Sequence, residues 1–547
     1  PYGSYYENLI IYSPIKLQGV GPGGFNTLDE YTPGTVLDGR GVAGDTPYAE
    51  EWRVRIESDP AITWDGLQAI YEGAGMYVLA EDGEFTSQFN AAIDGFTISG
   101  SDQQGFLNQG APVAPDKRGI AAVQGGGIFV NGYARFLQIT NNILQSNGGA
   151  YGGAIRLGTP HLIGFDLQNA TNLSDSQNDN VRIAHNRILA NGGTNLAGAI
   201  GLFSGTENYE IAYNDICGNY SAEYGGGISH YGYSPGGEIH DNRVYFNRSY
   251  DEGGGIIIAG ELPPEPTMLT PGAGEVNVYN NLIQANLAND DGGALRFLMA
   301  GDFPYEVFNN IIVNNISTHE GAGISLNDAP DVTVFNNTIM KNITTASAMT
   351  SNGLPAPTGL STSRNSSLLQ STLDPNAPIF SNPLLFNNIF WDNRAGTFTG
   401  ATVAGIGLEG DPTGIVHWDV GIQDTSIGLL EPTYSILQTE HGTVPDSTNL
   451  VGVDPQVVSV YDTSILVAPW RGNPRFVDIL IVTALADANV LGDYHLSVGS
   501  PAIDTATPIG APSFDFDGNL RPQNGHFEIG ADEILIHRYY GPIIISP

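Results

Sequence analysis

The chain has 547 residues, 58 Asp and Glu against 20 Lys and Arg, and a formal charge of −38. That charge repels phosphate backbones and excludes a nucleic-acid partner. A single Cys (Cys217) excludes a disulfide framework or a Cys-built metal cage.

Lysine is confined to Lys16, Lys117 and Lys341, and polarity comes from Asn, Ser, Thr and Gly. The longest apolar stretch, around Val477–Ala486, is too short to span a bilayer. These features point to an extracellular or cell-surface chain. The start at Pro1, without Met or leader, reads as a mature product or a fragment.

In chain order, residues 1–89 read as N-terminal coils and a cap, with an apolar run through Leu9-Ile-Ile and then Val36-Leu-Asp-Gly39. A repeat governs 90–395. Its marker Asn recurs at 142, 186, 214, 242, 281, 310, 337 and 388, in steps of 44, 28, 28, 39, 29, 27 and 51. The base period is near 28, and the longer steps carry insertions. A glycine module follows 10 to 12 residues later: Gly152-Gly-Ala-Ile, Gly198-Ala-Ile, Gly225-Gly-Gly-Ile, Gly253-Gly-Gly-Ile, Gly292-Gly-Ala-Leu, Gly321-Ala-Gly-Ile. Gly125-Gly-Gly-Ile fits the same column.

Short alternating strands between Asn and Gly turns, at a period too short for a propeller blade, predict an all-β chain. The fold is a single elongated right-handed parallel β-helix with loop insertions. A leucine-rich repeat lacks its Leu spacing here. Each coil buries its apolar face only by stacking, at about 4.8 Å per coil. At about 28 residues each, up to about twenty coils are expected. Asn at one corner suits left-handed backbone and bonding to the next coil, and Gly at another suits positive φ. Residues 396–547 read as less regular C-terminal coils and a cap.

The Asn-x-Ile-x-x-Asn and Gly-Gly-Gly-Ile pattern resembles bacterial right-handed parallel β-helix repeat proteins, a group that also holds pectate lyases, polygalacturonases and phage tailspikes. The end resembles the C-terminal part of secreted, surface-anchored β-helix proteins. Its matching residues are Ser500-Pro-Ala-Ile-Asp504, Asp515-Phe-Asp-Gly-Asn-Leu-Arg-Pro522 and Glu528-Ile-Gly-Ala-Asp-Glu533. The resemblance implies fold and location. The catalytic motifs of polygalacturonases and pectate lyases are not in place, so it implies no activity.

Ahead of the Gly corner runs an acidic column: Glu223-Tyr224, Asp251-Glu252, Asp290-Asp291, His319-Glu320. Stacking crowds these carboxyls. Crowding invites Ca²⁺ at Asp251, Asp290 and Asp291, or an acid–base set of Glu252, Asp291 and Glu320 with Arg296 as a substrate contact. A solvated acidic turn is the plain alternative. Asp515 and Asp517 have the start of a calcium-loop spacing, and Asp-Gly is equally a turn signal. His230 alternates inward and reads as a satisfied core histidine. Arg156 and Arg296 occupy equivalent outward positions and read as carboxylate partners. Trp391 and Trp418 suit a sugar platform or the core. Insertions at Gly158–Asn180, Gly260–Gly274 and Thr344–Pro383 mark the candidate binding edge.

The expectation is an extracellular structural or adhesive β-helix that self-associates or meets other surface proteins, in filaments or a surface layer. The alternatives are a polysaccharide lyase or glycoside hydrolase, or a carbohydrate-binding module. No cofactor beyond Ca²⁺ is implied.

Overall fold

A computed structural model describes residues 1–25, 28–42, 47–64, 74–101, 126–149, 151–160, 175–193, 195–263, 265–400, 402–462, 464–469, 480–485, 492–523 and 525–534. Lys117, Gly125, residues 161–174 of the first insertion, and Val477–Ile479 with Ala486 of the apolar stretch lie outside them.

One coil shows the architecture. Val276–Tyr279 lies in sheet I, Leu282–Gln284 in sheet II, Leu287–Ala288 in sheet III and Leu295–Leu298 in sheet IV. Among the described residues the four sheets have 10, 13, 8 and 11 strands, each strand paired with its equivalent in the next coil. Pairing is parallel and in register, for example Leu282 with Ile311 and Ile283 with Ile312. The chain is an all-β, right-handed parallel β-helix.

Alternation sets the core. Ile256 and Ile258 point inward and join Val276, Val278 and Ile283 in one continuous cluster, while Ile257 and Ala259 face outward. A continuous core is the reward of stacking, since no coil closes around its own apolar side chains.

The Asn columns are ladders. Asn242 Oδ1 accepts from Asn214 N and Nδ2, both at 3.0 Å, and Asn242 Nδ2 donates to Ile211 O at 2.8 Å. A parallel ladder runs five residues on, through Asn219, Asn247 and Asn286. The corner reading needs one correction. The left-handed residue is the one before each marker Asn: His185 (φ 59°), Tyr213 (57°), Asp241 (53°) and Asn280 (54°). Turning the chain at that residue aims the next side chain inward, where the ladder needs it. The glycine reading holds at Gly253 (φ 69°) and Gly292 (71°). Gly227 is needed for another reason: a Cβ there would sit 2.6 Å from Gly255 O of the next coil.

The longest sheet has 13 strands, against the twenty coils expected. Insertions take up part of the chain, including the helix Pro47–Ser58, whose Trp52 and Ile56 cover Tyr77 and Phe129 on the outside of sheet IV. The C-terminal part takes up more. After Leu450–Val451 no further strand joins sheet II among the described residues; the chain doubles back instead. Tyr494, Leu496, Ala502, Ile529 and Ala531 pack on Ile311, Val313, Met340 and Ile389, on the outer face of that sheet. Left-handed corner residues tie this tail down. Asn309 Nδ2 donates to Phe514 O (2.7 Å) and Asn387 Nδ2 to Thr507 O (2.9 Å).

Candidate functional site

The corner between sheets III and IV collects the acidic column. Each strand of sheet III is two residues long, and in four successive coils a positive-φ glycine (Gly225, Gly253, Gly292, Gly321) follows after three intervening residues, which are held on the rim. Serine hydroxyls lock the turns: Ser249 bonds to Glu223 O, and Ser317 to Asp290 O (2.5 Å) and Glu320 O (2.9 Å). These serines were not read from the sequence, although their spacing follows the repeat.

Arg296 organises the cluster. It faces outward from sheet IV yet is 4% exposed. Its Nε lies 2.5 Å from Glu252 Oε2, its Nη2 3.2 Å from Asp291 Oδ2, and its Nη1 donates to Ser325 Oγ at 2.6 Å. Arg296 is thus the carboxylate partner read from the sequence, and the alternative reading as a substrate contact meets a guanidinium already engaged. His319 Nδ1 lies 2.9 Å from Asp291 Oδ1 and 3.2 Å from Asp290 Oδ1. Glu320 accepts from Ser361 Oγ at 2.8 Å, and its backbone N–H donates to Asp291 Oδ1 at 3.2 Å. Asp251 and Glu223 stand alongside.

The environments push the carboxyls apart. Burial raises Glu252 and Glu320 to about 7, with Arg296 offsetting part of the effect. Burial and then the Asp290 charge raise Asp251 to about 6. Burial pushes Asp291 up too, but Arg296 and His319 outweigh it and hold Asp291 below the usual carboxylate range. Burial opposes the charge on His319, and Asp290 and Asp291 overcome it, raising the imidazolium to about 11. The corner therefore sets an ionised carboxylate beside carboxyls that keep protons near neutrality, which is the pattern of an acid and its base. Asp251, Glu252 and Asp290 also present oxygens within 4.8 Å of one another, a donor type that suits a hard cation.

The second expected calcium pair is divided. Asp515 is fully buried, and its oxygens accept from the N–H groups of Asp517 (3.0 Å), Asn519 (2.7 Å) and Glu533 (3.1 Å). It caps a turn. Asp517 pairs instead with His495 (3.1 Å), beside Asp532.

His230 is the satisfied core residue expected. It is fully buried, with Nδ1 2.8 Å from the Tyr209 hydroxyl and Nε2 2.8 Å from Gly232 O. Burial lowers it to about 4. Arg156 differs from Arg296: its guanidinium lies over Phe129 at 4.3 Å and donates to Gly158 O and Thr159 Oγ1. Trp418 is buried against His441. Trp391 is half-buried on the outside of sheet II. Both Gly158–Asn180 and Gly260–Gly274 leave the ends of sheet IV strands, on one edge. Thr344–Pro383 is two insertions, because Leu360–Thr362 between them is a strand of sheet IV. The first of the two reaches the acidic corner, where the Thr350 hydroxyl donates to Asp290 Oδ1 at 2.6 Å.

No protein-family model and no curated protein matches the chain. Among solved structures, the complex of XylC with xylose is 14% identical, over 84% of this chain and 67% of that chain, with a TM-score of 0.32. A likeness of that size carries no argument about function, and the β-helix architecture stands on the strand order described above.

Proposed function

We infer that this chain is an extracellular β-helix acting on polysaccharide at the acidic corner. The observation that carries this reading is the divergence within one cluster: Asp291 held ionised while Glu320 and Glu252 are pushed to about 7. Backbones of adjacent coils stand about 4.8 Å apart, a spacing of the order that separates the two carboxyls of a retaining glycosidase. In this reading Asp291 is the nucleophile or base and Glu320 the proton donor. Glu252 shares Arg296 with Asp291. A surface or filament element needs only the stack, and does not call for opposed protonation states side by side. The acidic, nearly Cys-free composition supports the location.

The test is release of reducing or unsaturated ends from a panel of neutral and acidic polysaccharides. Activity should appear on at least one, and Asp291→Asn and Glu320→Gln should each lower it at least about a hundredfold, the lower range for removing an acid–base group. No release from any member, or full activity in both variants, would refute the reading.

Calcium is the second reading, favoured by the oxygens of Asp251, Glu252 and Asp290. Chelator should then lower the melting temperature, and Asp251→Asn with Asp290→Asn should remove that response. An identical melting curve with chelator would sink it.

A further inference from the structure

We propose that the cleft between the doubled-back tail and the outer face of sheet II binds a neutral saccharide, with Trp391 as its stacking surface. The cleft has a volume of about 510 Å³, with Trp391 and Lys341 on the solenoid side and Asp454, Gln456 and Val457 on the tail side. That is the size of a small-ligand pocket, with room for one or two sugar rings.

Trp391 stands at an outward position and is half-buried. Among the described residues, no aromatic ring stacks on it and its indole N–H has no hydrogen-bond partner. An indole that lines a cleft and leaves its N–H unpaired matches the C–H face and hydroxyl rim of a pyranose.

The neighbouring charges decide the ligand class. Lys341 Nζ lies 2.8 Å from Asp392 Oδ2 and 2.7 Å from Asp462 Oδ1, and Arg394 Nη2 lies 2.7 Å from Asp392 Oδ2. Each cation is engaged with a carboxylate of this chain, and Asp454 adds a negative charge at the rim. Among the described residues that line the cleft, an anionic ligand would find no cation that is not already paired. A neutral, hydroxyl-rich one finds the side-chain amide of Gln456, which has no partner among the described residues, and the carboxylate of Asp454.

The tail wall is preformed. Val457–Ser459 pairs with Asp493–Leu496. The Tyr494 hydroxyl donates to Asn314 Oδ1 (2.6 Å), and Asn314 Nδ2 donates to Tyr461 O (2.7 Å). Little ordering is then left to oppose binding. The proposal does not rest on hydrolysis at the acidic corner.

The intact chain is titrated with cellobiose, xylobiose and maltose, and with digalacturonate as the charged comparison, and followed by titration calorimetry. At least one neutral disaccharide should give a saturable change. Binding should weaken about tenfold or more in Trp391→Ala, as for truncation of an aromatic anchor. It should also weaken in Gln456→Asn, which shortens an exposed side chain and leaves the core untouched. The proposal is overturned if no neutral disaccharide binds, if digalacturonate binds most tightly, or if Gln456→Asn and a folded Trp391→Ala both bind like the parent. The readout is binding, so this failure is distinct from a failure to cleave polysaccharide.

Discussion

Arg296 spans two coils, holding Glu252 of one and Asp291 of the next in a site nearly closed to solvent. Removing one charge from such a set strands the others. Arg296→Met should cost about 3–5 kcal/mol in denaturant unfolding at pH 8, and less at pH 5, where Glu252 and Glu320 carry protons. An equal cost at both pH values would refute this account. The same groups set the pH dependence of the parent. Glu252 and Glu320 bind a proton more tightly folded than unfolded, so their contribution is fully present below about 4.5 and is lost as pH climbs through about 7. Asp419, raised by burial to about 7, adds to this trend. Asp291 and Asp392 are held low and act oppositely, losing their contribution as pH falls below about 3.8. The melting temperature should therefore be higher at pH 5 than at pH 8, and Glu320→Gln should flatten the difference. The acidic pairs were legible in the sequence because they precede each glycine corner. That Arg296 meets carboxylates was legible from its outward position, but which two coils it ties together was not, since that depends on which coils are adjacent.

Ladders make each element depend on its neighbours. A ladder Asn accepts from the preceding coil and donates to carbonyls, so truncation in mid-stack leaves several buried groups unpaired. Asn242→Ala removes the acceptor for Asn214 N and the donor to Ile211 O and His240 O. At about 1 kcal/mol for each hydrogen bond lost, it should cost about 3 kcal/mol. A substitution at the exposed neighbouring residue, Arg243→Gln, should cost less than about 0.5 kcal/mol. Equal costs would deny the ladder its part in stability. The ladder was legible in the sequence as a strict recurrence. Its left-handed corner was displaced by one position, because Asn favours both a left-handed turn and an inward hydrogen-bonding site, and spacing alone does not separate the two. The serines of sheet III went unread for a similar reason: a small polar residue in a repeat looks like any surface position until the strand beside it is known to be two residues long.

At the scale of the molecule, 13 strands in the longest sheet give a stack about 58 Å long at about 4.8 Å per step. Isolated rods of that length should appear in electron micrographs of the purified chain, while long filaments would favour the self-associating role expected from the sequence. The tail decides the outer surface of the later coils. Removing residues 456–547 uncovers Ile311, Val313, Met340 and Ile389. The truncated chain should bind an apolar dye and melt several degrees lower, since each such side chain contributes about 1.5–3 kcal/mol when buried. A dye-silent truncation with unchanged melting would refute the docking. A signal for the tail was present in the sequence. Outward positions of sheet II change from Arg187, Asp215 and Arg243 to Leu282, Ile311 and Ile389. Strands covered on both faces read as continuous apolar runs, as in Ile311-Ile-Val313.

Recurrence along the chain determined the solenoid, its parallel pairing, the inward Asn columns and the acidic corner, because a repeat of about 28 residues brings equivalent side chains to one height at every turn. Tertiary structure alone decided the number of coils, the pairing of Arg296 across two of them, the division of Asp515 from Asp517 and the cleft beside Trp391. Each of these depends on a contact between segments far apart in sequence, the last through a tail that follows no repeat, and periodicity carries no information about where a non-repeating segment comes to rest.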